Sequence, residues 1–233
     1  MPFSYDLFVV AASFVIAMLA SYVTLDLARR VRTAQRRVGL AWWTAGSIVM
    51  GTGIWSMHFL GMQSFKLPIA IGFAGGLTLL SWLAAVAASG VALELASRET
   101  FGRTQLALGS LAMGAGISGM HYIGMAAMDM APGIVWDYAV VALSVLIAIL
   151  ASAAALLIFK LLRRVRASQR MRYQLAASFV MAVAICGMHY TGMAAAQFAV
   201  GAVCLSAGEL GGPGLTAMVF MATGMLLVST LFT

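Results

Sequence analysis

The chain has 233 residues, of which 63% are hydrophobic and only 9% are charged, and its mean hydropathy is +0.99. A soluble domain of this size carries a charged shell of about a quarter of its residues, so the composition excludes a soluble globular protein. The net charge of +7 would suit nucleic-acid binding, but the positions of the basic residues favour a different role.

Apolar runs of roughly 20 residues recur seven times, each long enough to cross about 30 Å of hydrocarbon as a helix. The predicted spans are Leu7–Ala28, Trp42–Ser64, Ile69–Leu93, Leu106–Met128, Asp137–Lys160, Gln174–Gln197 and Leu215–Phe232. The first ten residues lack the basic segment of a cleavable signal, so we expect the first span to be retained. The predicted fold class is an all-α membrane protein with seven transmembrane helices.

Thirteen of the fourteen basic residues fall between spans 1 and 2, between spans 3 and 4, or at the junction of spans 5 and 6; the exception is Lys66. Because cytoplasmic loops are enriched in lysine and arginine, the N-terminus is predicted outside and the C-terminus inside. The basic loops are expected to contact anionic lipid head groups. The expected partner is therefore a lipid bilayer, with no nucleic acid.

One heptapeptide occurs three times, as SMHFLGM from Ser56, GMHYIGM from Gly119 and GMHYTGM from Gly187, and these copies hold every histidine of the chain. The match extends upstream to a methionine eight residues before each histidine. We therefore predict one domain, 1–233, of three tandem helix hairpins at about 5–66, 67–130 and 136–198, with helix 7 at 214–233. All three motifs lie at one depth, where the histidines are expected to converge on one point or to form a ring.

The odd spans repeat as well. Asp6 and Asp137 each precede the next motif histidine by 52 residues, and Ile69 takes the same place before the second motif. At the opposite ends of these spans the aligned residues are Asp26, Glu94 and Lys160, which we interpret as interfacial anchors.

Each repeat presents one imidazole and three thioethers on about half of the helix circumference. The sets are His58 with Met50, Met57 and Met62, His121 with Met113, Met120 and Met125, and His189 with Met181, Met188 and Met193. Thioether and imidazole together favour Cu(I), with Cu(II) tolerated through nitrogen, whereas zinc, calcium and magnesium call for thiolates or carboxylates that are scarce here. Cys186 is a candidate additional ligand, and Asp6 and Asp137 are candidate partners that orient an imidazole.

Structural roles compete with these assignments. Methionine commonly fills helix interfaces, and packing is the favoured role of Met50, Met113 and Met181. Packing is also favoured for the motif glycines, Gly61, Gly124 and Gly192. The two cysteines, Cys186 and Cys204, are too few to indicate a disulfide framework.

The repeated motif resembles the signature of the MHYT domain of bacterial membrane sensor proteins. The third copy has the full signature, Met188, His189, Tyr190 and Thr191, whereas the second has Ile123 and the first has Phe59 and Leu60. The resemblance implies a non-enzymatic sensor in the bacterial inner membrane that binds copper and detects oxygen, carbon monoxide or nitric oxide. It also implies a cytoplasmic signalling partner or output domain, which we expect outside these 233 residues.

Three other interpretations stay open. Methionine ladders suit a protein that transports copper or another soft ion, although no methionine–histidine layer lies deeper than Met50, Met113 and Met181. Two histidines can ligate haem, which leaves the third without a role. A purely structural protein is compatible with the 24 glycines. The sequence shows no nucleophile–base arrangement, phosphate loop or carboxylate pair beside the motif, so we predict no enzymatic activity.

Overall fold

Six long helices make up most of the structure, a computed structural model that describes residues 1–33, 36–98, 100, 102–211, 219, 221 and 223–228. The helices are α1 Leu7–Thr33, α2 Arg36–Ser64, α3 Gly75–Ser97, α4 Arg103–Ala126, α5 Tyr138–Leu162 and α6 Arg170–Ala194. The described residues between 219 and 228 are helical, and the rest of the predicted seventh span lies outside the described part of the chain. The all-helical prediction is confirmed.

Five of these helices, α1, α3, α4, α5 and α6, are long and apolar enough to cross a membrane. Helix α2 has 29 residues and packs lengthwise between α1 and α3. At 1.5 Å per residue it extends about 43 Å, which exceeds the hydrocarbon thickness of a bilayer. The chain is a multi-pass helical membrane protein.

One predicted span start is wrong, because α3 begins at Gly75, after the predicted Ile69. Helix α2 begins at Arg36 and contains the whole predicted span from Trp42. The apolar residues before α3 form a loop instead, because the Phe73 backbone exchanges hydrogen bonds with Leu210.

The six helices form a closed ring in chain order, in which each packs against the next and α6 packs against α1. The even-numbered helices α2, α4 and α6 also contact one another across the middle of the ring. The motif histidines lie on these three helices, so the ring places all three repeats around one axis.

Each hairpin is closed by the same backbone hydrogen bond. The amide before each odd helix donates to the carbonyl six residues after a motif histidine, with N–O distances of 2.7–2.9 Å: Asp6 to Ser64, Ala74 to Ala127, and Asp137 to Ala195. Ala74, and not Ile69, is therefore the structural equivalent of Asp6 and Asp137. The sequence alignment was misplaced because the second repeat has fewer residues between this position and its histidine.

We call the two ends of the bundle the histidine end and the arginine end. The histidine end carries the short antiparallel pairs β1 (Ser4–Tyr5) with β2 (Phe65–Lys66), β3 (Met130–Ala131) with β6 (Val203–Cys204), and β4 (Val135–Trp136) with β5 (Ala196–Gln197). At the arginine end, Asp26 pairs with Arg29 and Arg30, and Glu94 pairs with Arg98.

Glycines bring the helices of the ring into backbone contact. A Cβ atom on Gly51 would lie 2.6 Å from the Cα of Val86 in α3, and one on Gly114 would lie 2.9 Å from the Cα of Ile149 in α5. Both glycines stand seven residues before a motif histidine. Because these contacts involve backbone, α2 and α4 are held at a fixed distance from α3 and α5, the helices that follow them.

Candidate metal centre

The three motif histidines meet on the axis of the ring, and all are buried. The Nδ1 atoms of His58 and His189 are 3.1 Å apart, those of His121 and His58 are 3.2 Å apart, and those of His189 and His121 are 3.3 Å apart. Of the two arrangements open from the sequence, convergence on one point describes this geometry. The described residues contain one group of three metal-capable side chains of the His, Cys, Asp and Glu types, and it is this one.

The opposite nitrogen of each ring, Nε2, points at a glycine of another repeat. A Cβ atom would lie 2.3 Å from His58 Nε2 if placed on Gly124, 2.3 Å from His121 Nε2 on Gly192, and 2.2 Å from His189 Nε2 on Gly61. Each glycine stands three residues after its own histidine, so the contacts run around the axis from one repeat to another. Only glycine leaves room for the imidazole at these positions.

The three Nδ1 atoms cannot all be satisfied by hydrogen bonds to one another. A neutral ring nitrogen carries either a hydrogen or a lone pair, and a hydrogen bond needs one of each. Among three nitrogens in mutual contact at least two are alike, so at least one of the three contacts is unfavourable. The three Nε2 atoms are also buried, with no hydrogen-bond partner among the described residues.

A layer of thioethers lies one helical turn beyond the imidazoles, towards the histidine end. Met62, Met125 and Met193 each follow their histidine by four residues, are at most 3% exposed, and share one buried cluster. On the other side of the histidines, Met50, Met113 and Met181 share the central core cluster. The histidines are therefore flanked by two methionine layers, one from each set of equivalent positions.

The methionines just before the histidines have no common environment. Met57 packs in a third cluster with Ile16 and Cys186, whereas Met120 belongs to the central core. Met188 is buried as well. The predicted additional ligand Cys186 thus lies beside Met57, and the structure does not gather these side chains into one layer.

The two predicted orienting carboxylates lie at helix starts. Asp6 Oδ1 accepts hydrogen bonds from the amides of Phe8 and Val9, and Asp137 Oδ1 accepts them from Ala139 and Val140. An acceptor at this position satisfies amides that the helix leaves unpaired. Both carboxylates are therefore used as N-caps.

Sequence reasoning missed a ring of side-chain hydrogen bonds around the histidines. Each odd helix has a serine seven residues after its cap, at Ser13, Ser81 and Ser144. Tyr190 bonds to Ser13 at 3.0 Å, Trp55 donates to Ser81 at 3.0 Å, and Tyr122 bonds to Ser144 at 2.5 Å. The equal spacing of the serines was a readable signal, but the misplaced alignment of the second repeat concealed it.

Aromatic pairs occupy the same interfaces. The residue before each odd helix cap is aromatic and stacks edge-on against the aromatic residue of a motif, with ring centroids 5.0–5.8 Å apart: Phe73 on Phe59, Trp136 on Tyr122, and Tyr5 on Tyr190. Each of these motif rings also stacks edge-on against its own histidine. The aromatic residue of the motif thus connects its imidazole to the next hairpin.

Three further sulfur-bearing side chains, also missed, cover the histidine end. Met128, Met130 and Cys204 are buried in the cluster that holds Met62, Met125 and Met193. Met130 and Cys204 are paired residues of the β3–β6 ladder, and the Cys204 thiol lies 2.8 Å from the carbonyl oxygen of Met128. Both cysteines of the chain are free thiols.

The chain matches the MHYT family profile, described as "Bacterial signalling protein N terminal repeat", over residues 1–41, 51–109 and 114–178. It is 52% identical over 207 residues to the bifunctional diguanylate cyclase/cyclic di-GMP phosphodiesterase MucR of Pseudomonas aeruginosa, covering 88% of this chain and 30% of that protein. No solved structure is significantly similar to the chain.

Two further relatives are similar over the same part of the chain. The cyclic di-GMP phosphodiesterase NbdA of Pseudomonas aeruginosa is 42% identical over 84% of the chain, and the signaling protein YkoW of Bacillus subtilis is 37% identical over 84%. The chain spans 25% and 24% of their lengths. It therefore corresponds to a minor part of each of these curated relatives.

Replacing Gly192 by alanine is expected to displace the imidazole of His121, because the new Cβ would overlap its Nε2 atom. We expect a loss of about 1–3 kcal/mol in the free energy of unfolding and a change in the imidazole ¹⁵N chemical shifts of His121, measured in detergent. Gly187→Ala is the matched control, since nothing lies within 4 Å of a Cβ atom at that position. Equal His121 spectra in the two variants would contradict the contact.

Proposed function

Because the chain belongs to the MHYT family of bacterial signalling proteins, we propose that this membrane sensory module binds copper through His58, His121 and His189. The observation that carries the proposal is the convergence of three buried Nδ1 atoms within 3.1–3.3 Å of one another. A central cation accepts all three lone pairs at once, which the imidazoles cannot do for one another.

The size of the triangle fits a single ion. A triangle with edges of 3.1–3.3 Å has its centre about 1.8 Å from each corner, close to the roughly 2.0–2.1 Å of metal–imidazole bonds. Metal binding through Nδ1 leaves the proton on Nε2, the atom that faces the glycine. In all three rings Nδ1 faces the other histidines and Nε2 faces a glycine. The same tautomer, with the proton on Nε2, therefore suits all three histidines.

The surroundings favour Cu(I) among the metals that bind imidazole. The centre is buried, and both nearby carboxylates of the odd helices, Asp6 and Asp137, cap helices. A divalent ion without an anionic ligand carries a larger desolvation penalty than a monovalent one. Met62, Met125 and Met193 supply soft sulfur one turn away, and soft ligands select Cu(I).

These three methionines are the proposed sulfur donors, because they share a cluster and lie at equivalent positions. A role for Met57, Met120 and Met188 as ligands stays a prediction, because these side chains do not share one buried cluster. Met50, Met113 and Met181 are proposed to pack beneath the histidines.

We propose that the histidine end faces the outside of the bacterial inner membrane and the arginine end faces the cytoplasm. The support is the distribution of arginine and lysine, because thirteen of the fourteen basic residues fall at one end of the bundle and cytoplasmic loops are enriched in these residues.

We also propose that a seventh span runs along α2. In the described part of this segment, Thr223 hydrogen-bonds to Ser56, and the buried Leu227 lies near Gly53.

The proposed signal is a diatomic gas or a change of redox state. Copper, when bound, supplies a site to which oxygen, carbon monoxide or nitric oxide can add. This chain's residues hold the imidazoles in place, exclude water and connect the histidines to the odd helices through the aromatic–serine hydrogen bonds. Two relatives are named as cyclic di-GMP enzymes, so we propose that such an output follows the module or is supplied by a partner.

The two other metal functions have less support. A transport path would need polar or sulfur groups towards the arginine end, where the aligned residues Leu25, Leu93 and Phe159 are buried in an apolar core. Haem between two axial histidines requires the ring nitrogens to lie on opposite sides of a porphyrin, whereas here they nearly touch. A single ion fits this geometry better than either.

The first test is metal content. Purified protein loaded with Cu(I) is expected to retain one copper per chain, and the triple variant His58→Ala, His121→Ala and His189→Ala is expected to retain none, by mass spectrometry of the metal. X-ray absorption should show nitrogen ligands in the native protein. Met171→Leu, a substitution at an exposed methionine, serves as the control, and equal copper in the histidine variant would refute the site.

A second test separates the two sets of methionines. Changing Met62, Met125 and Met193 together to leucine is expected to weaken Cu(I) binding roughly 10–100-fold, measured by competition with a chromogenic chelator. The matched set, Met57, Met120 and Met188 to leucine, has the same number of buried thioethers and should leave the affinity within a few-fold of native. The reverse order would assign the sulfur donors to the second set.

A third test addresses the gas. Carbon monoxide added to the Cu(I)-loaded protein is expected to give an infrared C–O stretching band that shifts with ¹³CO and is lost in the triple histidine variant. A copper-loaded protein without such a band would remove carbon monoxide from the proposed signals and leave redox state as the input.

A further inference from the structure

A cavity of about 230 Å³ opens at the histidine end, between the end of α6 and the segment that precedes α1. Its walls include four aromatic side chains and one methionine, namely Phe3, Tyr5, Phe65, Tyr190 and Met193. We call it the α6–α1 cavity. Tyr190 and Met193 belong to the third motif, and Tyr190 directly follows His189 in the sequence. The cavity therefore lies beside the third motif.

The cavity extends from the protein surface to Met193, which lies one helical turn from His189. At its rim, Phe3 is 60% exposed and Ala194 is also exposed. At its floor, Met193 is 1% exposed and belongs to the cluster of Met62 and Met125. A ligand that enters here therefore meets the methionine layer first and the imidazoles one helical turn deeper.

The equivalent interface between α2 and α3 differs. The cavity there measures about 50 Å³ and is lined by Phe59, Phe73 and Trp55, without Met62. At the interface between α4 and α5, the large indole of Trp136 packs on Tyr122 with ring centroids 5.3 Å apart, in place of the smaller Tyr5 ring on Tyr190. The three-fold arrangement is thus broken where the cavity opens.

The lining suits a soft cation. Aromatic faces attract cations, and a thioether is a soft ligand for Cu(I). No charged side chain lines the cavity, so hard, strongly hydrated ions have nothing there to replace their water.

We propose that the α6–α1 cavity is the port through which Cu(I) reaches the three histidines, with Met193 as its first protein ligand. The proposal rests on the copper function proposed above and adds the route of loading. It assigns a role to one of the three interfaces between hairpins.

The test compares Cu(I) loading rates when the port is blocked after folding. Ala194→Cys is labelled with a bulky methanethiosulfonate reagent in the purified protein, and Cu(I) is supplied as its bicinchoninate complex. Ala126→Cys is the matched control, because Ala126 is also exposed and stands at the same place, five residues after its histidine, beside α5. The native Cys186 and Cys204 are buried.

We expect at least a tenfold slower loading of labelled Ala194→Cys, an unchanged rate for labelled Ala126→Cys, and the same final copper content in both. A second comparison measures the Cu(I) loading rates of the variants Ala194→Trp and Ala126→Trp, which block the same positions without labelling a thiol. Equal rates for the two labelled proteins would overturn the port while the copper site stands. A native protein that binds no copper would instead overturn the proposed function.

Discussion

The contact between each motif imidazole and a glycine of another repeat is the constraint on which the rest of the site depends. A side chain at Gly61, Gly124 or Gly192 would occupy the position of an Nε2 atom. With that space left open, each ring directs its Nε2 atom at the glycine of a neighbouring helix and its Nδ1 atom reaches the axis. The glycine three residues after each histidine is thus as much a part of the centre as the histidine.

The same contact explains the layers on either side. Helices held at the distance of an imidazole ring bring the methionines four residues after the histidines into one cluster. In the second and third repeats the aromatic residue after the histidine reaches the serine of the next hairpin, and in the first repeat Trp55 makes this bond. One short spacing pattern therefore builds the histidine layer, the methionine layer beside it and the connection between hairpins.

Much of this could be predicted from the sequence, because helices and depth depend on local patterns. The equal depth of His58, His121 and His189 follows from the repeat alone. The sequence does not predict which methionines share a layer with one another, because that depends on how each helix is rotated about its axis. Met57 and Met120 occupy equivalent sequence positions but lie in different clusters. The start of α3 was missed because apolar residues that fill a loop against Leu210 look like the start of a span.

Backbone contacts and side-chain hydrogen bonds connect the histidine layer to the arginine end. Gly51 and Gly114 hold α2 and α4 in contact with the backbones of α3 and α5. At the arginine end, the Arg163 side chain, just after α5, donates hydrogen bonds to the backbone carbonyls of Ala96 and Arg98 at the end of α3. A displacement of α5 relative to α3 must break or move those bonds.

The three repeats differ in the aromatic residues between hairpins and in their contacts with the described residues near 223. In a fully symmetric ring the three interfaces between hairpins would be filled equally. Here they are filled to different extents by side chains of different size, Trp136, Phe73 and Tyr5. The described part of the chain between residues 219 and 228 adds a further difference, because Thr223 is bonded to Ser56, where the other two copies of the motif have Gly119 and Gly187. The repeat accounts for the convergence of the three histidines, and the residues that differ between repeats account for the unequal packing of the three interfaces around them.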